Sequence, residues 1–299
     1  MSALVGVLNV TPDSFSDGGI DRSVGDSVER GLALVAHGAA LVDVGGESTR
    51  PGARPVSTEL EQSRVLPVIG ALAARGVTVS IDTMHAETAV RAVEAGAVVV
   101  NDVSGGMADR RMLVRLAELG CFVVLGHLRG TPATMNFHTD YDDCVADVKA
   151  ELMQRVSAAV DAGIDVDRIW VDPGIGFAKT AEQNWDLISR VGEFAGLDLP
   201  LMVGVSRKSF LRSTLGCGAT IAERDLPTAV LTAVLAQAGV SAIRVHDVRS
   251  SATALETLRL GWCDSGGSAV GRGGGVSPAR QTQRFRPATI GIPVGLRRE

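Results

Sequence analysis

Polar side chains able to bind or polarise a small molecule recur in this sequence at one kind of place, directly after a short apolar run. Asn9, Asp43, Asp82, Asn101, His127 and Asp172 each stand there, Ser206-Arg207-Lys208 follow another such run, and Arg244 and His246 interrupt the last one. Three carboxylates and two amides gathered in one pocket would accept hydrogen bonds from a heterocycle that displays several N–H donors. Arg50, Lys208, Arg244 and His246 would add the cations suited to a phosphate or pyrophosphate. The SRKS stretch at 206–209, read as the start of a helix, also offers free backbone N–H groups to an anion. Magnesium is commonly held by few protein ligands plus phosphate oxygens, so Asn9 beside a bound phosphate could suffice for it. Each residue alone has a plainer explanation as a turn former, a helix cap or a solvated helix start. Asp43 could pair with Arg50 on the rim; Asp82 and Asp172 follow buried-type runs and must find hydrogen-bond partners to sit there.

The elements that would position these groups alternate regularly. Short β-branched runs predict strands at 3–9, 40–43, 77–82, 98–101, 121–126, 168–172, 199–204 and 242–245, with amphipathic helical stretches between them, among them 57–74, 86–95, 140–162 and 226–238. Eight βα units of this kind predict an α/β fold, a (β/α)8 TIM barrel of parallel strands. Such a barrel brings the C-terminal ends of all its strands to one mouth, where its active site is built. The polar groups named above would then face one another.

The 299 residues carry 29 Lys+Arg against 34 Asp+Glu, a net charge of −5, too acidic for a protein that neutralises nucleic-acid phosphates over a broad surface. With 45% hydrophobic and 21% charged residues the chain can bury a large core, which excludes wholesale disorder. Its apolar runs fall far short of the ~20 residues that span a bilayer. Four cysteines without metal-ligand spacing, and no secretory leader pattern, point to a reducing, cytoplasmic setting. Residues 263–299 hold 8 Gly, 3 Pro and 6 Arg with 2 acidic residues, so the expected division is a barrel at 1–262 and a disordered, basic extension. His37 and His85 read as helix-surface residues and His138 as a loop residue, while Tyr141, Trp170 and Trp185 read as packing groups.

Seven motifs then occur in order: NVTPDSFSDGG at 9–19, DVGGESTRPG at 43–52, SIDT at 80–83, NDVSGG at 101–106, DPGIGFAK at 172–179, SRKS at 206–209 and RVHDV at 244–248. Over residues 3 to about 262 the chain resembles the dihydropteroate synthase family, the pterin-binding enzymes of bacterial folate synthesis. The resemblance implies condensation of 6-hydroxymethyl-7,8-dihydropterin diphosphate with para-aminobenzoate to 7,8-dihydropteroate and pyrophosphate. It implies an SN1-like course, with Asp82, Asp172 and Lys208 as catalytic residues and two Gly- and Ser-rich loops, at 11–19 and 45–52, closing over the site. It further implies that Asp82, Asn101, Asp172, Phe177, Gly204 and Lys208 bind the pterin, and that Asn9 with Mg2+, Thr49, Arg50, Arg244 and His246 bind the diphosphate. Phe15, Thr49, Pro51, Lys208 and Ser209 would frame para-aminobenzoate, with sulfonamides as competitors, and the assembly would be a homodimer. One departure stands out. Gly126 occupies a place where such proteins usually carry Met, which is expected to leave room in the pterin pocket. A methyltetrahydrofolate-dependent methyltransferase would not need the SRK and RVH groups or both loops, and a pterin-binding paralogue without synthase activity would be expected to lose a lysine, an aspartate or a loop; this chain retains them all.

Overall fold

A computed structural model describes residues 2–11, 24–50, 52–53, 55–215 and 219–263 of the chain. Its eight strands are β1 (Ala3–Asn9), β2 (Leu41–Gly45), β3 (Val79–Asp82), β4 (Val99–Asp102), β5 (Phe122–Gly126), β6 (Ile169–Asp172), β7 (Met202–Val203) and β8 (Ala242–Val245). All neighbouring pairs are parallel, in the order β6-β5-β4-β3-β2-β1-β8-β7. A bridge between Val171 and Leu201 joins the two ends of the sheet and makes it a barrel. Around it lie α1 (Val24–Ala36), α2 (Thr58–Ala73), α3 (Ala86–Glu94), α4 (Met112–Leu119), α5 (Cys144–Asp161), α6 (Ala181–Ser189), α7 (Asp225–Gln237) and α8 (Val248–Cys263).

The strands are near-continuous apolar runs because a parallel barrel buries both of their faces. Outward-facing Leu4, Val42, Ile81, Val100, Val123 and Ile243 join the apolar stripes of the helices in one large core. Inward-facing Val5, Leu41, Val99, Val124, Trp170, Met202 and Ala242 form a separate plug inside the barrel. Each fully buried side chain of this kind contributes on the order of 1.5–3 kcal/mol, and together these side chains pack the barrel interior at that level.

Most elements lie within two residues of their expected bounds, and two differ by more for local reasons. β7 has two residues where 199–204 was expected, since Leu201 is spent on the bridge that closes the barrel and Gly204 already turns beside Arg244. α5 begins at Cys144 and not at 140, because the Asp143 carboxylate accepts from the amides of Val145 and Ala146 and caps the helix there. Among the described residues no helix is long and apolar enough to cross a membrane. Of the extension expected at 263–299, Cys263 is the last residue of α8 and residues 264–299 lie outside the described residues.

Candidate active site

The strand period of two residues builds the mouth of the barrel. Two positions beyond the plug residues Leu41, Val99, Val124, Trp170, Met202 and Ala242 come Asp43, Asn101, Gly126, Asp172, Gly204 and Arg244, on the same inward side and one layer higher. Asn9 and Asp82 reach that level from β1 and β3, where both pair in register with Gly45 of β2. The chain therefore switches from apolar to polar inside the barrel at one height.

Arg244 is the electrostatic centre of this layer. Its Nε donates to Asp43 Oδ2 at 2.5 Å and its Nη2 to Asp82 Oδ2 at 2.6 Å. Asn101 Nδ2 also donates to Asp43 Oδ2, at 3.1 Å. The ion pair considered for Asp43 with Arg50 is thus not formed: Arg50 is exposed, and Arg244, rising from β8 into the barrel, takes both Asp43 and Asp82. Burial pushes the Asp82 carboxyl upward while Arg244 pulls it back, and the two carboxylates hold the guanidinium firmly protonated. Two acceptor atoms of this layer remain buried with no hydrogen-bond partner, Asp43 Oδ1 and Asn101 Oδ1. Unsatisfied acceptors are uncommon in native interiors, and these two belong to the polar layer at the strand ends.

Asp172 and Lys208 form the opposite wall. Asp172 Oδ1 accepts from the Gly174 amide at 2.7 Å, and Lys208 Nζ lies 3.7 Å from the centre of the Phe177 ring. Burial lowers the Lys208 ammonium to about 8, with Asp172 and Asp82 opposing the shift and Arg244 adding to it. Burial likewise raises Asp172, against its backbone hydrogen bond. Beneath this wall is a network that the sequence reading missed. Lys179 Nζ donates to Phe177 O at 3.0 Å, Gly174 O at 3.2 Å and His127 Nδ1 at 3.0 Å. His127 passes the bond on through Nε2 to Glu151 Oε2 at 3.0 Å, and Arg129 holds the same carboxylate while stacking on Tyr141. Burial and the Lys179 charge press His127 down to about 3; Lys179 itself falls to about 7, mainly through burial. A lysine seven residues beyond Asp172 was visible in the motif, but nothing local shows that it turns back onto its own loop.

The anion-binding groups are more varied than their residue types implied. His246 is not the cation its residue type suggests: burial and the charges of Arg207 and Arg244 hold it neutral, and its ring Nδ1 bonds Ser206 Oγ at 2.9 Å. Arg207, at φ +59°, turns away to make a two-point ion pair with Asp225, leaving Lys208 as the cation of that motif beside Asp172 and Asp82. Ser209 is exposed and opens a 3₁₀ turn, Ser209–Thr214, in place of the expected regular helix. Gly204 sits beside the Arg244 side chain, where a Cβ would come 3.7 Å from its Cβ. Thr49 is half-buried in the loop after β2, which is tied across the mouth by Gly52 N donating to Pro132 O at 3.0 Å. Phe15 and Pro51 lie outside the described residues.

The room expected at Gly126 is absent. A Cβ there would meet the Val103 backbone at 2.6–2.8 Å, so that backbone occupies the volume a side chain would need. Gly126 permits a close backbone approach and leaves no gap to fill.

The oxygen donors at the end of β1 suit a hard cation. Gly45 leaves a cradle between them: a Cβ there would sit 3.6 Å from Asn9 Oδ1 and 3.8 Å from Asp82 Oδ2. An amide oxygen and a carboxylate are the hard ligands that Mg2+ takes alongside phosphate oxygens and water.

Comparison with known proteins agrees with this geometry. Residues 5–246 match the model of the family described as pterin binding enzyme. The dihydropteroate synthase of Mycobacterium leprae is 46% identical over 268 residues, spanning 88% of this chain and 94% of that protein. The structure of Xanthomonas albilineans dihydropteroate synthase with 4-aminobenzoic acid superposes with a TM-score of 0.82 at 38% identity, covering 88% of this chain and 93% of the other. That of the Yersinia pestis enzyme in a sulfonamide drug complex gives 0.82 at 36% identity, covering 87% and 94%.

Proposed function

Because the chain belongs to the pterin binding enzymes and, within them, to the dihydropteroate synthases, we propose that the polar layer at its barrel mouth carries out the condensation through the following division of roles. The enzyme joins 6-hydroxymethyl-7,8-dihydropterin diphosphate to para-aminobenzoate, giving 7,8-dihydropteroate and pyrophosphate. The observation that carries the assignment of roles is the buried polar layer at the strand ends, where Asp82 and Asn101 stand with Asp172 and Lys208 and Asn101 Oδ1 has no hydrogen-bond partner.

Asp82, Asn101 and Asp172 accept from the amino and ring N–H groups of the pterin, while Lys208, Phe177 and Gly204 line its edge and face. In an SN1-like course the C–O bond to the diphosphate breaks first, and the pterin methylene carries the developing positive charge. Asp82 and Asp172, already aligned, stabilise that cation without reorganising at the moment of reaction. Arg244, Arg50 and Thr49 donate to the departing pyrophosphate, with neutral His246 as a further N–H donor. Asn9 would hold Mg2+, which when bound would neutralise charge on the diphosphate. Para-aminobenzoate, framed by Phe15, Thr49, Pro51, Lys208 and Ser209, forms the C–N bond from its amino nitrogen, which then loses a proton. The loops after β1 and β2 keep water from the cation. The same frame would admit a sulfonamide, the class of drug held in the Yersinia pestis complex.

Residues 1–262 form the catalytic unit on this reading, with 263–299 as an extension, and the protein works in the cytoplasm. A homodimer would use α7, whose Leu226, Val230 and Val234 are exposed apolar residues at helical spacing. The experiment that tests the proposal couples pyrophosphate release to both substrates. Release should require para-aminobenzoate and fall sharply in Lys208→Met, and Asp82→Asn should weaken pterin diphosphate binding by calorimetry. Unchanged affinity in Asp82→Asn would remove that residue from the site.

A further inference from the structure

Outside the mouth, three ligand-type side chains converge behind the loop that carries Thr49 and Arg50. Glu47 belongs to that loop, Glu61 to the first turn of α2, and His85 is the residue just before α3. His85 Nδ1 lies 2.9 Å from Glu61 Oε2 and 3.8 Å from Glu47 Oε2, and one ligand atom from each of the three falls within 4.8 Å of the others. This corrects the surface placement expected for His85, whose side chain is only 28% exposed. Glu61 is fully buried, and its second oxygen, Oε1, has no hydrogen-bond partner.

The local charge does not balance. Glu47, Glu61 and, more distantly, Asp109 act on a single imidazole. Arg64 on α2 bonds the Gly46 carbonyl, and Arg111 is occupied with Asp109. Burial and the charge of Glu61 push the Glu47 carboxyl upward, and the hydrogen bond to Glu61 raises His85. A proton on His85 offsets one of the two carboxylates and leaves Glu61 Oε1 unsatisfied. A dication would neutralise both and could use that oxygen.

We propose that Glu47, Glu61 and His85 form a binding site for a transition-type divalent cation of the Zn2+ class, separate from the Mg2+ position at Asn9. The ligand set selects the ion. An imidazole nitrogen with two carboxylates suits zinc, which takes four ligands at roughly 2.0–2.2 Å, whereas magnesium favours oxygen and water. Tetrahedral coordination at that length sets ligands about 3.3–3.6 Å apart, so the present separations of 2.9 and 3.8 Å, with the two carboxylates within 4.8 Å of each other, need adjustments of about 1 Å or less. The fourth position would face solvent on the His85 side. Such an ion would pin the base of the β2–α2 loop against the N-terminal ends of α2 and α3 while its tip reaches the mouth.

The test uses the full chain stripped with a chelator and titrated with Zn2+ by calorimetry and with Co2+ by visible absorption. The expected result is one equivalent bound, with the intense ligand-field bands of low-coordinate Co2+ and affinity that rises with pH, because the proton on His85 must leave first. His85→Gln and Glu61→Gln should each weaken binding about 100-fold or more, while Asn9→Ala, at the mouth, should bind as the parent does. Glu47→Gln is the variant least exposed to a folding objection, since Glu47 lies in a loop, and it should lose affinity too. Absence of stoichiometric binding, or equal affinity in His85→Gln and Glu47→Gln, overturns the proposal. Neither outcome touches the synthase reading, which pyrophosphate release tests independently.

Discussion

Replacing Lys179 by Met separates holding the site together from performing its chemistry. Lys179 donates to the carbonyls of Gly174 and Phe177, which flank the loop that presents Asp172 and the Phe177 ring under Lys208. Methionine keeps the side-chain length and removes the ammonium that serves these two carbonyls and His127 Nδ1. A buried carbonyl left without a donor costs about 1–3 kcal/mol, and the low end applies because both of these bonds are only partly buried. Two carbonyls then amount to about 2 kcal/mol, or a Tm lowered by roughly 4–8 °C for a domain of this size. If the loss is expressed in the loop and not in global unfolding, the KM for the pterin diphosphate should rise about 10- to 30-fold. Turnover at saturation should change little, since no reacting atom has been touched. The linkage gives a second signature. With Lys179 held at about 7 against an ordinary 10.5, the folded chain binds fewer protons than the unfolded one between those values. Its contribution to stability therefore rises with pH across that window, and thermal melts from pH 7 to 10 should lose part of their slope in the Met variant. Wild-type Tm, KM and slope together would refute the clamp.

Arg244→Met strands Asp43 and Asp82 without their cation and should destabilise the fold by about 3–5 kcal/mol, measured by denaturant unfolding; adding Asp43→Asn should recover part of the loss. Gly126→Met, which would restore the residue usual at that place, should destabilise by about 1–3 kcal/mol or more, because the Val103 backbone occupies the site of its Cβ; thermal melts check this. His127, held at about 3, should show no ring titration between pH 5 and 8 by NMR, and the stability tied to it should be lost only as pH falls from 6.5 toward that value.

What was legible in the sequence was the part that depends on local periodicity. Strands 3–9 and 242–245 match β1 and β8 residue for residue, since burial of both faces in a parallel barrel leaves short apolar runs bounded by polar residues. The short β7 was not legible, because its length is limited by barrel closure through Leu201, a contact made with a strand 30 residues away in the chain. Asn9, Asp43, Asp82, Asn101 and Asp172 could be assigned to one rim because each follows an apolar strand. Their partners could not be assigned.

By itself the sequence determined which residue types reach the mouth, since a period of two carries the inward face from Leu41 to Asp43, from Val99 to Asn101 and from Trp170 to Asp172. Only the tertiary structure decided how those groups share charge and space. Arg244 takes Asp43 across 201 residues of chain, Lys179 folds back under its own loop, His246 is neutral, and the Val103 backbone fills the room expected beside Gly126. The physical reason is that pairing, desolvation and close packing depend on distance in space, which the barrel sets when it closes and no run of neighbouring residues encodes.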